Sequence, residues 1–358
     1  MFGDLIEIYE KKTAIIHITK NGERLAKTLL KIFPNSEIFS ISKERKLDSI
    51  FEECFKNFNN IIAIMATGIV VRKVAKLIKS KITDPALIVM DDNGKFAISL
   101  ISGHLGGGNE LASYISERIG AIPVITTATD VNKKFAIDDM VRKFGWSIEN
   151  PYKIKVINRA VLNNEKVAIN IPAEVLKKFY HDDKNILKCL KFYKSLNSLI
   201  RSRIEHKIAV TNLLDISSDF LIVRPKNLYI GIGCNRGTSF EELDAVIKHN
   251  LLMLKRSFKS INSIASIDIK SDEKCLLMFR EKYNINLRFF TKEELNSVKD
   301  PYKQSRYVEK TVGVKGVCEP AAILSAKRDM RECFKRKKLL PKIKQGNVTI
   351  AVQELLFS

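Results

Sequence analysis

Short apolar runs recur along the first third of the chain and alternate with segments whose apolar residues are about one helical turn apart. The runs that are typical of buried strands lie at residues 14–18, 37–41, 60–65, 86–90, 96–101 and 122–126. The amphipathic segments that predict helices lie at residues 23–33, 47–58, 68–78 and 111–119. The sequence DDNG at 91–94 predicts a hairpin turn. This mostly βαβα order predicts a largely parallel sheet covered by helices.

The pattern weakens after this first unit and then starts again. Residues 131–225 contain one clear helical segment at 135–144 and one clear strand at 166–171, so we expect a small middle or linking domain. Later strands are predicted at 228–233, 264–268 and 348–352, and later helices at 240–250 and 272–283. The sequence therefore predicts an α/β protein with an N-terminal parallel-sheet domain (1–130), a small middle domain (131–225) and a C-terminal α/β domain (226–358).

The composition narrows the class of protein. With 358 residues and 45% apolar content, the chain is long enough for several domains with ordinary cores. No apolar run reaches the ~20 residues that a membrane span needs. The first four residues lack the basic and apolar regions of a signal peptide, so we expect a cytoplasmic protein. The six cysteines never form a C-x-x-C pair, which disfavours a structural zinc site and predicts reduced thiols.

The formal net charge of +21 indicates a surface that attracts anions. The lysines and arginines are spread along the chain rather than gathered in one stripe, although local clusters lie at 335–338 and at Lys342 and Lys344. No RNA-recognition, helix-turn-helix or zinc-finger signature accompanies them. A charge of this size is compatible with nucleic acid, a membrane surface or a polyanionic small molecule as partner, and also with a Lys-rich surface of no special function. Of these partners we expect no nucleic acid and no membrane. The sequence leaves homo-oligomer formation open.

Residues 102–109 read SGHLGGGN and lie between a predicted strand and a predicted helix. Glycines allow positive φ angles and let a ligand approach the main chain, and the start of a helix offers N–H groups to an anion. His104 has a side chain that can transfer protons near neutral pH. The candidate ligand-binding residues of this loop are Ser102, Gly103, Gly106, Gly107, Gly108 and Asn109. A tight turn with a surface histidine is the alternative interpretation.

Two further loops follow predicted strands. One offers Thr67, Gly68 and Arg72, and the other offers Thr127 and Asp130. Ligands of open α/β sheets bind beyond the carboxyl ends of the strands. If the three strands run parallel, all three loops lie at the same edge of the sheet, and that convergence favours one site. Helix capping explains the hydroxyl residues almost equally well.

The third unit has a glycine-bearing segment of its own at 231–237, which reads GIGCNRG. Its G-x-G-x-x-x-G spacing departs from the dinucleotide-binding fingerprint, so the segment is a better candidate for holding a carboxylate or phosphate. The candidate residues are Gly233, Arg236, Gly237 and Thr238.

Glu319 precedes Pro320 at the predicted start of another helix. A carboxylate at this place is stabilised by the helix dipole, and it is also a candidate general base. Lys342 and Lys344 either pair with substrate carboxylates or are solvated.

The chain resembles the cobalamin biosynthesis protein G family at these segments. The matching stretches are 65–72, 102–112 and 126–130 for the N-terminal region of that family, and 229–242, 313–322 and 342–352 for its C-terminal region. Residues 131–225 match in position and length more than in motif. The resemblance implies the cobalt-precorrin-5A hydrolase activity of anaerobic cobalamin biosynthesis. That enzyme opens the δ-lactone of a cobalt-bound, ring-contracted tetrapyrrole and breaks a carbon–carbon bond, releasing acetaldehyde and giving cobalt-precorrin-5B.

Such a reaction needs a proton-transfer group, donors for an oxyanion and an electron sink. We hypothesise that His104 transfers protons, that Asp130 steers His104 or the water, and that Glu319 is a further catalytic candidate. The resemblance implies no cofactor of the protein's own, because cobalt arrives on the substrate. A non-catalytic tetrapyrrole carrier and a nucleotide- or RNA-binding protein are the alternative functions. Release of acetaldehyde distinguishes the enzyme from the carrier.

Overall fold

The computed structural model describes residues 8–81, 83–177, 186–330 and 334–357. Within these residues the strands form one six-stranded sheet and two five-stranded sheets, with helices packed against them. The three sheets follow one another along the chain, which confirms the predicted α/β class and its parallel-rich sheets. The domain boundaries at 130/131 and 225/226 stay a prediction. None of the helices in the described ranges combines the length and the apolar character that a membrane crossing requires.

The first sheet has six strands, three of which are buried along their whole length. Its strands are β1 (Thr13–His17), β2 (Ser36–Ser40), β3 (Asn60–Ile64), β4 (Ala86–Met90), β5 (Phe96–Ile101) and β6 (Ile122–Val124). Its helices are α1 (Lys20–Leu30), α2 (Leu47–Asn57), α3 (Thr67–Val74), α4 (Gly108–Ile119) and α5 (Ala128–Val131). Every residue of β1, β3 and β4 is buried, because one apolar core lies on each face of the sheet.

The direction of β5 overturns one expectation from the sequence. The strand order is β2-β1-β3-β4-β5-β6, and β4 and β5 are antiparallel while the other neighbouring pairs are parallel. The predicted hairpin turn forms, and the N–H of Gly94 donates to the carbonyl of Asp91 at 3.0 Å. The chain therefore reverses, and the carboxyl ends of β5 and β6 lie at the opposite edge from that of β3. The expectation that all three loops share one edge is wrong.

The middle sheet contains more strands than the sequence predicts. Its strands are β7 (Ser147–Ile148), β8 (Val167–Ile169), β9 (Leu190–Phe192), β10 (His206–Val210) and β11 (Leu221–Arg224). Its helices are α6 (Ile137–Lys143), α7 (Ile154–Leu162), α8 (Ala173–Lys177) and α9 (Leu196–Ile200). Strands this short carry too few residues for a period-2 pattern to be recognised. Of the weakly patterned stretch 131–225, residues 178–185 lie outside the described residues.

The third sheet has the order β14-β13-β12-β16-β15. Its strands are β12 (Leu228–Cys234), β13 (Ile261–Ile267), β14 (Asn286–Phe290), β15 (Phe334–Gln345) and β16 (Val348–Phe357). Its helices are α10 (Phe240–Met253), α11 (Lys274–Tyr283), α12 (Lys292–Asn296), α13 (Arg306–Val312) and α14 (Cys318–Arg328). The basic cluster at 335–338 and both Lys342 and Lys344 belong to the edge strand β15, which the sequence does not predict.

The three units are packed against one another. Leu105, from the glycine loop, contacts the apolar core of the middle unit, and so do Phe334 and Phe357 from the last two strands. The amide of Asn212 also donates to the carboxylate of Glu354 at 2.6 Å between two buried side chains. The glycine loop therefore lies at the junction between the first sheet and the middle unit.

Candidate functional site

The glycine loop after β5 turns too tightly for most side chains. Ser102 has a φ of +56° and Gly107 a φ of +89°, both in the left-handed region. A Cβ atom on Gly106 would lie 2.4 Å from Cβ of Ser102, so only glycine fits there. The hydroxyl of Ser102 donates to the carbonyl of Asp84 at 3.0 Å and fixes the start of the turn. This geometry holds His104 at the tip of the loop, directly before α4.

The imidazole of His104 lies between two carboxylates. Its Nδ1 is 3.2 Å from Oδ2 of Asp138, and its Nε2 is 2.6 Å from Oδ2 of Asp130. The hydroxyl of Thr129 is 3.1 Å from the same Nε2. Asp130 and Thr129 come from α5 and Asp138 from α6, so the site combines a loop of the first unit with a helix of the middle unit.

Each carboxylate is held by further polar side chains. Asp138, with only 1% of its side chain exposed, accepts from the amide of Asn158 at 2.9 Å and lies 3.3 Å from the ammonium of Lys81. Asp130, 40% exposed, accepts from the hydroxyl of Thr127 at 2.6 Å and from the amide of Asn109 at 3.1 Å. The buried carboxylate of Asp138 is therefore fixed by several side chains, whereas the carboxylate of Asp130 is accessible to solvent.

This arrangement changes the protonation of all three groups. Burial disfavours the charged ring of His104, but the hydrogen bonds and charges of Asp130 and Asp138 outweigh burial and raise its pKa to about 9. Burial alone would raise the pKa of each carboxyl group, yet contact with His104 lowers the pKa of both Asp130 and Asp138 below their ordinary values. His104 is thus an imidazolium at neutral pH, with a proton to donate.

A cleft of about 280 Å³ opens beside this group. It is lined by residues of β5 and of the glycine loop, together with Lys81, Asn109, Thr127 and Asp138. The backbone N–H groups of His104, Leu105 and Gly106 donate to no other backbone group among the described residues. Of these three residues, His104 and Leu105 line the cleft, so two of the amides, the imidazolium and the ammonium of Lys81 lie beside it, together with the carboxylate of Asp138.

The loop after β3 belongs to a different cleft. Thr67 lines a cavity of about 400 Å³ at the opposite edge of the first sheet, beside Asp91 and Asp92. The two carboxylates make this cavity a poor place for an anion. Gly68 and Arg72 do not line it, and they are not brought to His104 either. The predicted grouping of Thr67, Gly68 and Arg72 with the glycine loop is therefore wrong, because β5 reverses the direction of the chain.

The C-terminal candidates also lie apart from His104, and most of them already have partners. The guanidinium of Arg236 is 2.5 Å from Asp272 and also donates to the carbonyl of Ile269. The N–H of Gly237 donates to Glu273 at 3.0 Å, so a carboxylate of the protein already occupies this anion site. The hydroxyl of Thr238 donates to the carbonyl of Asn235 at 2.8 Å. Gly233 alone of the four lines a cleft, which lies in the C-terminal unit.

Glu319 lies at the start of α14 and is 2% exposed. One of its oxygens accepts from the N–H of Lys303 at 2.8 Å, and the other is 3.2 Å from the ammonium of Lys338. Both oxygens of Glu319 therefore have partners within the C-terminal unit. This favours a structural role for Glu319 over that of a general base.

The sequence-based prediction does not include four residues that complete the His104 group. They are Lys81, Thr129, Asp138 and Asn158. The one available signal is the acidic pair at 138–139 in the first turn of a predicted helix, which has an ordinary explanation in the helix dipole. Among the described residues, no three His, Cys, Asp or Glu side chains are grouped in a way that could hold a metal ion.

Comparison with known proteins identifies the family. Models described as Cobalamin synthesis G N-terminal, Cobalamin biosynthesis central region and Cobalamin synthesis G C-terminus match residues 49–130, 135–225 and 228–353. A Priestia megaterium protein named cobalt-precorrin-5A hydrolase is 34% identical over 95% of this chain and 94% of its own length. A Salmonella typhimurium protein of the same name is 30% identical over 87% of this chain and 91% of its own length.

A solved structure of a cobalamin biosynthesis protein G homologue from Sulfolobus solfataricus is similar along 97% of this chain and 99% of its own. The identity is 23% and the TM-score is 0.39. The Priestia megaterium and Salmonella typhimurium relatives confirm the resemblance seen in the sequence. The chain belongs to the cobalamin synthesis G family, the family of the cobalt-precorrin-5A hydrolases.

Proposed function

We propose that this chain is a cobalt-precorrin-5A hydrolase whose chemistry takes place at His104. The observation that carries the proposal is the imidazole of His104, which lies between Asp130 and Asp138 beside a glycine loop. The activity named for relatives that match almost the whole chain supports the same reaction. Cobalt belongs to the substrate in this proposal, and the protein supplies no cofactor of its own.

Opening of the lactone requires an acid. Water adds to the lactone carbonyl and releases one proton to solvent, and the negative charge on the carbonyl oxygen is stabilised by backbone N–H groups of the glycine loop. The ring oxygen then leaves with a proton from the imidazolium of His104, which is charged at neutral pH because its pKa is raised to about 9. The products of this step are a hydroxyl group and a carboxylic acid that ionises.

Release of acetaldehyde requires a base, and His104 is neutral after the first step. Its imidazole takes the proton of the new hydroxyl group, the oxygen forms the C=O bond of acetaldehyde, and the carbon–carbon bond breaks. The electron pair of that bond passes into the conjugated macrocycle with its cobalt. His104 returns to the imidazolium form, so one residue serves as acid and then as base. Asp130 and Asp138 orient the ring throughout and compensate its charge.

The test is acetaldehyde release by the purified full-length chain supplied with cobalt-precorrin-5A. We expect release by the unaltered protein and a loss of about 10²- to 10⁴-fold in the variant His104→Gln, because a proton-transfer group is removed. The matched control is His206→Gln. His206 also lies 2.7 Å from a carboxylate, that of Glu165, with 17% of its side chain exposed against 14% for His104.

Three outcomes are informative. Loss of release in His104→Gln, together with nearly normal release in His206→Gln, supports the proposal. Equal release in both variants, with both folded, removes His104 from the mechanism. Binding of the substrate without any acetaldehyde from the unaltered protein would establish the alternative, a tetrapyrrole carrier.

A further inference from the structure

A second cleft, of about 360 Å³, lies in the C-terminal unit at the ends of β12 and β13. Its other walls come from α13, from the start of α14 and from the edge strands β15 and β16. Gly233 forms part of its floor, where a Cβ atom would lie 2.6 Å from the hydroxyl oxygen of Thr349. None of the residues around His104 lines this cleft. We call it the C-terminal cleft.

Two lysines give the C-terminal cleft a positive wall. Lys342 and Lys344 both belong to β15, and both line the cleft. Neither is ion-paired with a carboxylate among the described residues, in contrast to Lys338 on the same strand, which lies 3.2 Å from Glu319. The ammonium of Lys270, also in the lining, lies 3.1 Å from Glu273. Lys342 and Lys344 are therefore available to an anionic ligand.

The opposite wall is apolar and includes an exposed aromatic ring. Val308, Val312 and Val317 line this side. Tyr307 stands at the same wall with 76% of its surface exposed, which is unusual for so large an amphipathic side chain. Apolar residues on one side and two ammonium groups on the other suit a flat ligand that carries carboxylates along its edge.

We propose that the C-terminal cleft is a second binding site for a carboxylated tetrapyrrole, one edge of which enters between the lysines and the valines. The choice of ligand class rests on the proposed function, because a tetrapyrrole with acetate and propionate arms has this combination of flat body and anionic edge. A volume of about 360 Å³ is at the lower end of the ~300–1,000 Å³ of ligand pockets. The cleft therefore holds part of the macrocycle, and the remainder lies against Tyr307 and in solvent.

The first experiment measures binding of uroporphyrin, an octacarboxylate tetrapyrrole, to the full-length protein by fluorescence. The variant K342S/K344S is expected to bind about tenfold more weakly, because two partly desolvated charge contacts are lost. The matched control K335S/K337S removes two lysines from the same strand outside the cleft, and we expect it to leave the affinity unchanged. The difference between the two variants is expected to shrink at high salt, since salt screens these contacts.

The second experiment locates the ligand. Amine acetylation of the unaltered protein, read by mass spectrometry, is expected to show protection of Lys342 and Lys344 by uroporphyrin and no protection of Lys335 and Lys337. Equal affinity of K342S/K344S and the unaltered protein would overturn the inference. The acetylation is repeated with ATP, and protection of the two lysines by ATP but not by uroporphyrin would also overturn it. Both readouts are independent of acetaldehyde release, so failure of the hydrolase proposal and failure of the C-terminal cleft are distinguishable.

Discussion

Residues 102–108 and residues 231–237 both combine several glycines with a charged side chain near the end of a strand, yet the two charged groups have different surroundings. In the first segment, His104 is 14% exposed and is held by carboxylates from two other elements. In the second, Arg236 is 58% exposed and is paired with the exposed Asp272 and the buried Glu273, which lie just before α11. Both segments are rich in glycine, whereas the neighbouring elements decide the electrostatics of their charged side chains.

The difference matters because burial changes what a charge can do. Around His104 burial disfavours the charged ring, but the hydrogen bonds and charges of Asp130 and Asp138 outweigh burial and raise the pKa of the ring to about 9. Around Arg236 solvent screens the ion pairs, and the guanidinium is simply satisfied. A glycine-rich turn in a sequence therefore predicts space for a ligand. Whether a charged side chain in the turn can take part in a reaction depends on its interaction partners, which only the structure shows.

Replacement of Asp138 by Asn tests whether burial gives the His104 group its properties, and it is the variant in this comparison from which we expect the largest effect. We expect acetaldehyde release to fall on the order of 100-fold and the free energy of unfolding to fall by about 2 kcal/mol, since the imidazolium loses its buried counter-charge and keeps only that of the partly exposed Asp130. The pKa of His104, followed by NMR, is expected to fall as well. Release and urea unfolding are measured on the same preparations.

The neighbouring carboxylate supplies the control for that variant. Asp139 lies on the same helix and pairs with Arg142 and Lys143 near the surface. Asp139→Asn is expected to cost less than about 1 kcal/mol and to leave the pKa of His104 where it was. If Asp138→Asn and Asp139→Asn were alike in activity and in the pKa of His104, the buried carboxylate would have no special role.

The pH dependence of stability provides a second test. The folded-state pKa of His104 is about 9, against 6.5 in the unfolded chain, so the ring binds its proton more tightly when folded. Its stabilising contribution is complete below pH ~6.5 and is lost as the pH rises through ~9, with a magnitude on the order of 3 kcal/mol. Urea unfolding of the unaltered protein and of His104→Gln is compared at pH 6, 7.5 and 9.5. A difference between them that stays constant over this range would contradict the raised pKa.

Much of the fold follows from the sequence because buried strands are continuous apolar runs. β3, β4 and β12 lie within a residue of their predicted bounds for this reason. β15 is not predicted, since an edge strand that reads FKRKKLLPKIKQ has lysines and arginines where a central strand has apolar residues. The short strands β9 and β11 contain three and four residues, too few to show a period.

The candidate site is less predictable because its parts are distant in sequence. The glycine loop, His104 and Asp130 are visible as local patterns. Asp138, in contrast, contacts the ring from α6, and Asn158 contacts Asp138 from α7, so both contacts depend on tertiary packing. Nothing local distinguishes Asp138 from Asp139. The reversal between β4 and β5, in contrast, follows from the DDNG turn itself, and it is sufficient to separate the loop at Thr67 from the loop at His104.

Replacement of Asp130 by Asn allows the more exposed of the two carboxylates beside His104 to be compared with the buried one. Asp130 is 40% exposed where Asp138 is 1% exposed, so its charge is better screened by solvent. We expect a decrease in acetaldehyde release of about tenfold, smaller than that of Asp138→Asn, and a smaller fall in the pKa of His104. The control is Asp215→Asn, which removes an exposed carboxylate paired with Lys255. A larger effect from Asp130 than from Asp138 would mean that the solvent-exposed carboxylate, and not the buried one, controls the ring.

Arg236→Ala is the variant from which we expect the smallest effect, and it tests whether the two glycine segments act separately. Its partners Asp272 and Ile269 are local, and the ion pair is largely exposed, so loss of the side chain costs less than about 1 kcal/mol of folding free energy. Acetaldehyde release is expected to stay within about twofold of the unaltered value, because the guanidinium is neither near His104 nor available to an anion. A decrease of tenfold or more in kcat/KM would mean that Arg236 exchanges Asp272 for a substrate carboxylate during the reaction. Both segments would then contact the same substrate molecule. The separation between His104 and Arg236 that the structure shows would not persist in the working enzyme.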